Sequence, residues 1–226
     1  MMERHFEKVE AELRERILHM GGVAEEMIRQ SEEALLERRE APIVRIAELE
    51  EEMNRLHIEL DDRCLKLLAL HQPIAADLRF IMACIKINSD LERIGDQAVN
   101  ISQSTAYLLR QPPLDPLPFD IRRMVALARQ MLRDSLEAMA RKEVALAESV
   151  AHCDAEEDGL KKAAFIASMR LMQSDPSTIE RALTLILITR NLERIADHAT
   201  NIAEDVIFWA KGEDIRHNRN RKETNP

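Results

Sequence analysis

Acidic side chains spaced four apart recur twice along this chain. Glu92, Asp96 and Asn100 step by four, and so do Glu193, Asp197 and Asn201. On a helix each trio lines one face. The stretches that carry them, DLERIGDQAVNI (Asp90 to Ile101) and NLERIADHATNI (Asn191 to Ile202), agree at eight of twelve positions at an offset of 101 residues. Two carboxylates at i,i+4 repel by roughly 0.3 kcal/mol. Arg93 and Arg194 stand one residue on from the glutamates, about 100° around the helix, and cannot easily neutralise the stripe within their own helix. A cation must come from elsewhere: a neighbouring helix, a partner protein or a metal ion.

A second pair of polar residues accompanies each stripe. Sliding the chain by 104 residues places Ile46 on Val150, Leu49 on Cys153, Leu56 on Leu160 and Leu67 on Leu171. The same slide puts Glu50 on Asp154 and Asn54 on Asp158. Where two antiparallel helices meet, such pairs can converge with Glu92/Asp96 and Glu193/Asp197 into a four-oxygen cluster in each half. Oxygen-only clusters suit Mg²⁺, Mn²⁺, Ca²⁺ or Fe³⁺, with Zn²⁺ also compatible. Gly95 and Ala196 between the acids are expected to leave room for an ion cluster. Asn54 carries no charge, so the first site is expected to bind less tightly. The competing reading is a solvated face, or pairing of the acids with arginines across helices. His57 and Asp61 share a face with Glu50 and Asn54 and read as a surface pair. His198 points about 100° away from Asp197.

The elements that must position these residues are helices. Ala, Leu, Glu, Arg, Ile and Met dominate, aromatics are 3%, and only 5 residues are Gly, so little is offered to a sheet. From His5 to about Arg39 a seven-residue rhythm runs through Phe6, Leu13, Met20, Met27 and Ala34, in phase across Gly21-Gly22. Pro42 opens a second helix with a seam of Ile46, Leu49, Met53, Leu56, Leu60, Leu67 and Leu70, broken only at Arg63, and Pro73 stops it. The third runs from about Ile74 to Leu109. QPPLDPLPFD, with four prolines in ten residues, is the one strong linker signal. The second half then repeats the first: Ile121 to Met139, Leu146 to Leu171, and about Pro176 to Ala210. The expectation is an all-α protein of two tandem, internally repeated three-helix bundles, six long antiparallel helices in all. The first repeat covers 1–111, the linker 112–118, the second repeat 119–212, and a polar tail 213–226 is expected to fray.

Net charge is −9 and no basic stripe appears before the tail, which speaks against nucleic acid as a partner. Cys64, Cys84 and Cys153 lack CxxC spacing and read as free thiols in a reducing cytosol. The N-terminal residues lack the apolar stretch of a secretory signal, and the longest apolar runs fall well short of the ~20 residues a membrane span needs. No P-loop, GxGxxG, nucleophile elbow or HExxH occurs. A ferritin-like di-metal enzyme would need Glu-x-x-His on two helices, and no Glu stands three residues before any of the 7 histidines. A metal-free helical adaptor is the other alternative.

The doubled LERIGD and LERIAD, the first preceded by Pro73, Asp77, Leu78 and Arg79, resemble the PhoU family of phosphate-uptake regulators, from Phe6 to Ile215. The second copy departs at the turn, where Pro176 is followed by Glu180-Arg181. The resemblance implies paired three-helix bundles that carry multinuclear iron or zinc clusters on E(D)xxxD motifs. Here those are Glu92/Asp96 and Glu193/Asp197, joined by Glu50/Asn54 and Asp154/Asp158. It further implies a non-enzymatic, cytoplasmic negative regulator, often a homodimer. Such a regulator restrains the phosphate ABC transporter, through its ATPase subunit, and the phosphate-sensing histidine kinase. It associates peripherally with the membrane through those partners.

Overall fold

Prolines and left-handed residues cut the chain into six α-helices: α1 (Met2–Glu37), α2 (Ala41–His71), α3 (Ala75–Leu109), α4 (Ile121–Arg141), α5 (Val144–Ser174) and α6 (Ile179–Lys211). The computed structural model describes residues 2–215, excepting the side chains of residues 2–7, 71 and 154. Of the polar tail, residues 216–226 lie outside the described residues. No strand occurs among the described residues, and no described helix is long and apolar enough to cross a membrane.

Pro42 sits in the first turn of α2, and Gln72, at φ 44°, ends it. Asp120 caps α4 by accepting from the Arg123 amide at 3.1 Å. Gly212, at φ 77°, stops α6 in the left-handed conformation that glycine adopts without strain.

The expected seams are the core. Phe80, Cys84, Ile87, Leu91, Ile94, Ala98 and Ile101 of α3 are all buried, as are Leu185, Ile188, Leu192, Ile195, Ala199 and Ile202 of α6. One contiguous cluster joins both halves. Each half is a three-helix bundle, and the halves meet like on like, α3 against α6 and α1 against α4. Lys86 of α3 bonds the buried Asp205 of α6 at 2.8 Å. Trp209, near the end of α6, packs against Phe80 of α3 with ring centroids 4.9 Å apart and planes tilted by 52°, and Arg14 and Lys142 lie over its ring. Across the α1–α4 contact Arg129 reaches Glu25 and Glu32, and Arg133 pairs with Glu25.

Two details differ from the sequence expectation. The α2 seam passes through buried Cys64 rather than Arg63, and Leu70, counted as seam, is 75% exposed. The proline-rich segment is also held down. Leu114, Leu117 and Phe119 pack on the core. The Arg38 guanidinium donates to the Leu108, Leu109 and Gln111 carbonyls at 2.8–3.2 Å. Arg181 donates to Pro112 O at 3.1 Å.

Helix α1 runs unbroken through Gly21-Gly22. A Cβ on Gly21 would stand 2.5 Å from a Leu136 methyl of α4, whereas one on Gly22 would meet nothing within 4 Å. Gly21 therefore serves the close approach of α1 and α4, and Gly22 only lowers helix propensity. Urea unfolding should separate them: Gly22→Ala raises stability by roughly 1 kcal/mol, whereas Gly21→Leu lowers it by about 1–3 kcal/mol through overpacking.

Candidate cation site on the paired acidic helices

The acids of the two signature helices sit at the margins of their bundles because the apolar letters between them are buried. In α3, Glu92 is half-buried and Asp96 exposed; in α6, Glu193 is half-buried and Asp197 exposed. Antiparallel packing of α5 on α6 brings the expected second pair alongside. Asp158 of α5 and Glu193 of α6 both reach the Lys161 ammonium, at 3.3 Å and 2.5 Å. Two carboxylates from different helices thus converge on a single cation. Here that cation is supplied by the neighbouring helix. The bond to Glu193 pushes the Lys161 pKa above its ordinary value. Asp197 lines the same open groove, with Lys162, Arg190, Arg194 and Phe165. The side chain of Asp154 lies outside the described residues.

The first half is arranged differently. Glu50 is half-buried and Asn54 exposed. Among the described residues, Glu50, Asn54, Glu92 and Asp96 share no hydrogen bond or ion pair. His57 faces Asp61 at 3.6 Å, and Asn88 donates to Asp61 Oδ1 at 2.9 Å, so these residues tie α2 to α3. His198 contacts Asp90 of α3 at 2.8 Å through Nδ1, and Asn201 donates to the same oxygen at 3.3 Å. Asn201, placed in the acidic trio by its spacing, therefore belongs to the α3–α6 contact. Nowhere among the described residues do three His, Cys, Asp or Glu side chains stand close enough to hold an ion together.

The expectation that small residues leave room for an ion is corrected. Gly95 and Ala196 are buried. A Cβ on Gly95 would lie 3.3 Å from Met53 Cγ and 3.5 Å from Met27 Sδ. Its smallness admits core methionines of α1 and α2 and faces away from the acids.

One residue of this region escaped the sequence reading. Glu157 is 1% exposed, and neither carboxylate oxygen has a hydrogen-bond partner. Burial pushes its pKa from 4.5 up to about 8, reinforced by Glu193, Glu156 and Asp158 nearby. The signal lay in the gap from Cys153 to Leu160, where seam spacing demands a core residue at 157. The 104-residue slide sets Glu157 on Met53, an interior residue of the first bundle. An orphaned buried carboxyl and a lysine standing in as cation, both beside Glu193, are features that a bound metal ion would satisfy. Of the acids in this region only Asp158 and Glu193 converge on one point, the Lys161 ammonium, and no three stand close enough to hold an ion together.

Glu157 also sets a pH dependence. Folded, it keeps its proton until about pH 8; unfolded, it releases it near 4.5. Between those values the native state binds more protons, so stability falls as pH rises and the penalty is complete above about pH 8. Metal-free Glu157→Met should lack this slope and unfold about 1–3 kcal/mol later at pH 8. Thermal melts from pH 5 to 9 on both proteins check this.

Comparison with known proteins bears on the whole chain. The family description "PhoU domain" matches twice, at residues 17–105 and 121–206. The chain is 37% identical over 206 residues to a Pseudomonas putida protein called phosphate-specific transport system accessory protein PhoU homolog, covering 91% of this chain and 80% of that one. It is 36% identical to the Caulobacter vibrioides protein of the same name, covering 92% and 91% of the two chains. The crystal structure of PhoU from Pseudomonas aeruginosa superposes with a TM-score of 0.89 at 33% identity, covering 92% of this chain and 100% of that one. The phosphate transport system regulatory protein PhoU from Streptococcus pneumoniae does so with 0.80 at 26%, covering 92% and 98%. With two domain matches that each span three helices and relatives aligned over most of its length, the chain belongs to the PhoU family.

Proposed function

We propose that this protein is a non-catalytic accessory regulator of phosphate transport that works by docking other proteins. The observation that carries the reading is alignment over 91% of the chain with a relative named as a phosphate transport accessory protein. The surface supports it. Ile179, Leu183 and Leu187 recur every four residues along α6, and Phe165 and Met169 along α5, each between 39% and 52% exposed. Exposed apolar ridges of this kind are a resource for partner binding. In this reading the protein is cytoplasmic and dimeric, and it reaches the membrane only through its partners. When phosphate is plentiful it restrains the phosphate ABC transporter through the ATPase subunit, and it restrains the phosphate-sensing histidine kinase. Affinity capture from cells grown in high phosphate should recover the transporter ATPase subunit and the kinase. Leu183→Glu with Leu187→Glu, at solvent-facing positions, should reduce that capture at least about tenfold while leaving thermal stability unchanged. Recovery of neither partner by the unaltered protein would overturn the proposal.

The same proposal includes a resident metal, iron or zinc by family resemblance and Mg²⁺, Mn²⁺ or Ca²⁺ by ligand chemistry, held by the acids of each half. A metal-free adaptor is the second reading, favoured by the Lys161 bridge between Asp158 and Glu193. Elemental analysis of protein purified without chelator distinguishes them. Metal should be present, and Glu193→Ala with Asp197→Ala should remove the second half's share alone. Metal-free protein would favour the adaptor.

A further inference from the structure

Exposed cations and exposed apolar side chains lie end to end on the second half. Along α6, Leu183, Leu187, Arg190 and Arg194 are all exposed and fall at spacings of four, three and four. That rhythm draws one straight stripe on the helix. Lys162, Phe165 and Met169, also exposed, make the matching stripe on α5. The Lys161–Glu193 bond sets the register of these antiparallel helices. Counted from it, Lys162 stands level with Arg190 and Arg194, and Met169 with Leu183 and Leu187. At the cationic end the stripes flank a groove of about 770 Å³, with Phe165 and Ile186 among its walls.

The charges of this groove are unbalanced. Lys161 is engaged by Asp158 and Glu193, whereas Lys162, Arg190 and Arg194 enter no ion pair among the described residues. Four cations thus face three acids, Asp197 being the third, in a protein of net charge −9. The first half lacks this feature. The 104-residue slide sets Lys162 on Ile58 and Phe165 on Asp61, and the 101-residue offset sets Arg190 on Ser89. Lys162, Phe165 and Arg190 are therefore peculiar to the second half. Being exposed, they answer no packing need of the shared scaffold.

Resting on the docking function proposed above, we infer that this groove receives an acidic amphipathic helix of a partner protein. The partner's apolar anchors lie against Met169, Leu183 and Leu187, and its carboxylates lie beside Lys162, Arg190 and Arg194. The stripe from Leu183 to Arg194 spans roughly 17 Å, about three turns of such a helix. Magnitudes divide the labour between the two ends. Exposed ion pairs add little affinity, so the apolar end supplies most of the hold. The cations steer the encounter and fix which way the helix lies, since reversing it would set leucines over Arg190 and acids over Leu183. The same cations repel a basic segment, which makes the groove selective as well as adhesive.

The test uses full-length protein and a fluorescently labelled probe helix of about four turns, with leucines along one end and glutamates along the other. A second probe carries lysines in place of the glutamates. Fluorescence anisotropy at low salt should show the glutamate probe bound at least about tenfold more tightly than the lysine probe. Lys162→Glu with Arg190→Glu, one exposed residue from each wall, should abolish that preference while the melting temperature stays unchanged. Equal affinity for the two probes, or a preference that survives the charge reversal, would overturn the inference. Phosphatidylglycerol vesicles bound through Lys162 and Arg190, with no preference between the probes, would reassign the groove to a membrane surface and overturn it too. Capture from cells grown in high phosphate separates the inference from its premise. If Leu183→Glu with Leu187→Glu loses the ATPase subunit and the kinase while the charge-reversed protein keeps both, the groove inference falls and the docking function stands. If the unaltered protein recovers neither, the docking function falls and takes the inference with it.

Discussion

The contact between α3 and α6 is the constraint on which the molecule depends. Each is the inner helix of its own bundle, and each also packs against the other. A helix enclosed by three neighbours has little surface left for water. This is why Leu91, Ile94, Ala98 and Ile101 and their repeats Leu192, Ile195, Ala199 and Ile202 are all buried. It also limits what repetition can show. Four of the eight shared letters of the doubled signature, the Leu, the Ala and the two Ile, are explained by packing, whereas the shared Glu, Arg, Asp and Asn lie at the rim. Asp90 illustrates the distinction, because it anchors His198 and Asn201 across the helix pair and is used structurally.

The fold was legible because helices with a 3.6-residue period leave that period in the sequence, and because proline stops them. Pro42 and Pro73 bound α2 within a residue or two. What escaped was the relation between the halves. The approach of Gly21 to Leu136 joins residues 115 apart, and no local pattern reports it. Nor does sequence disclose that Arg38, Gln72 and Lys142 take positive φ, since none is glycine and the tertiary structure imposes the turn. The seam error at Arg63 has a simpler cause. Two positions one residue apart differ by about 100°, and a pattern near a helix end fits either phase.

The candidate site was legible in part, and the division follows side-chain length. Where acids lie along a helix is fixed by backbone geometry, so the convergence of Asp158 with Glu193 could be anticipated from spacing. Which cation they meet depends on a flexible lysine on the adjoining helix, and a lysine can choose among several acids within its reach. Glu157 was more accessible than it looked. A seam that runs Val150, Cys153, then Leu160 has a missing step, and polarity at a missing step marks a buried polar group.

The two halves therefore share a scaffold and differ in how much their acid faces are held in place. In the first half Asn88 and His57 fix Asp61, and the bundle interior at position 53 is a methionine that packs and asks for nothing. In the second half the equivalent interior position holds a carboxyl that water cannot reach and that no protein group satisfies. Leaving such a group unpartnered costs about 1–3 kcal/mol, and a stable fold tolerates it only where the surrounding helices are otherwise well supported. Here that support is the α3–α6 contact, together with Trp209 clamped beneath Arg14 and Lys142. The unpartnered carboxyl sits on the inner face of α5 in the second bundle. The Lys161 bridge stands on the same helix, and Phe165 and Ile186 line the groove that it spans.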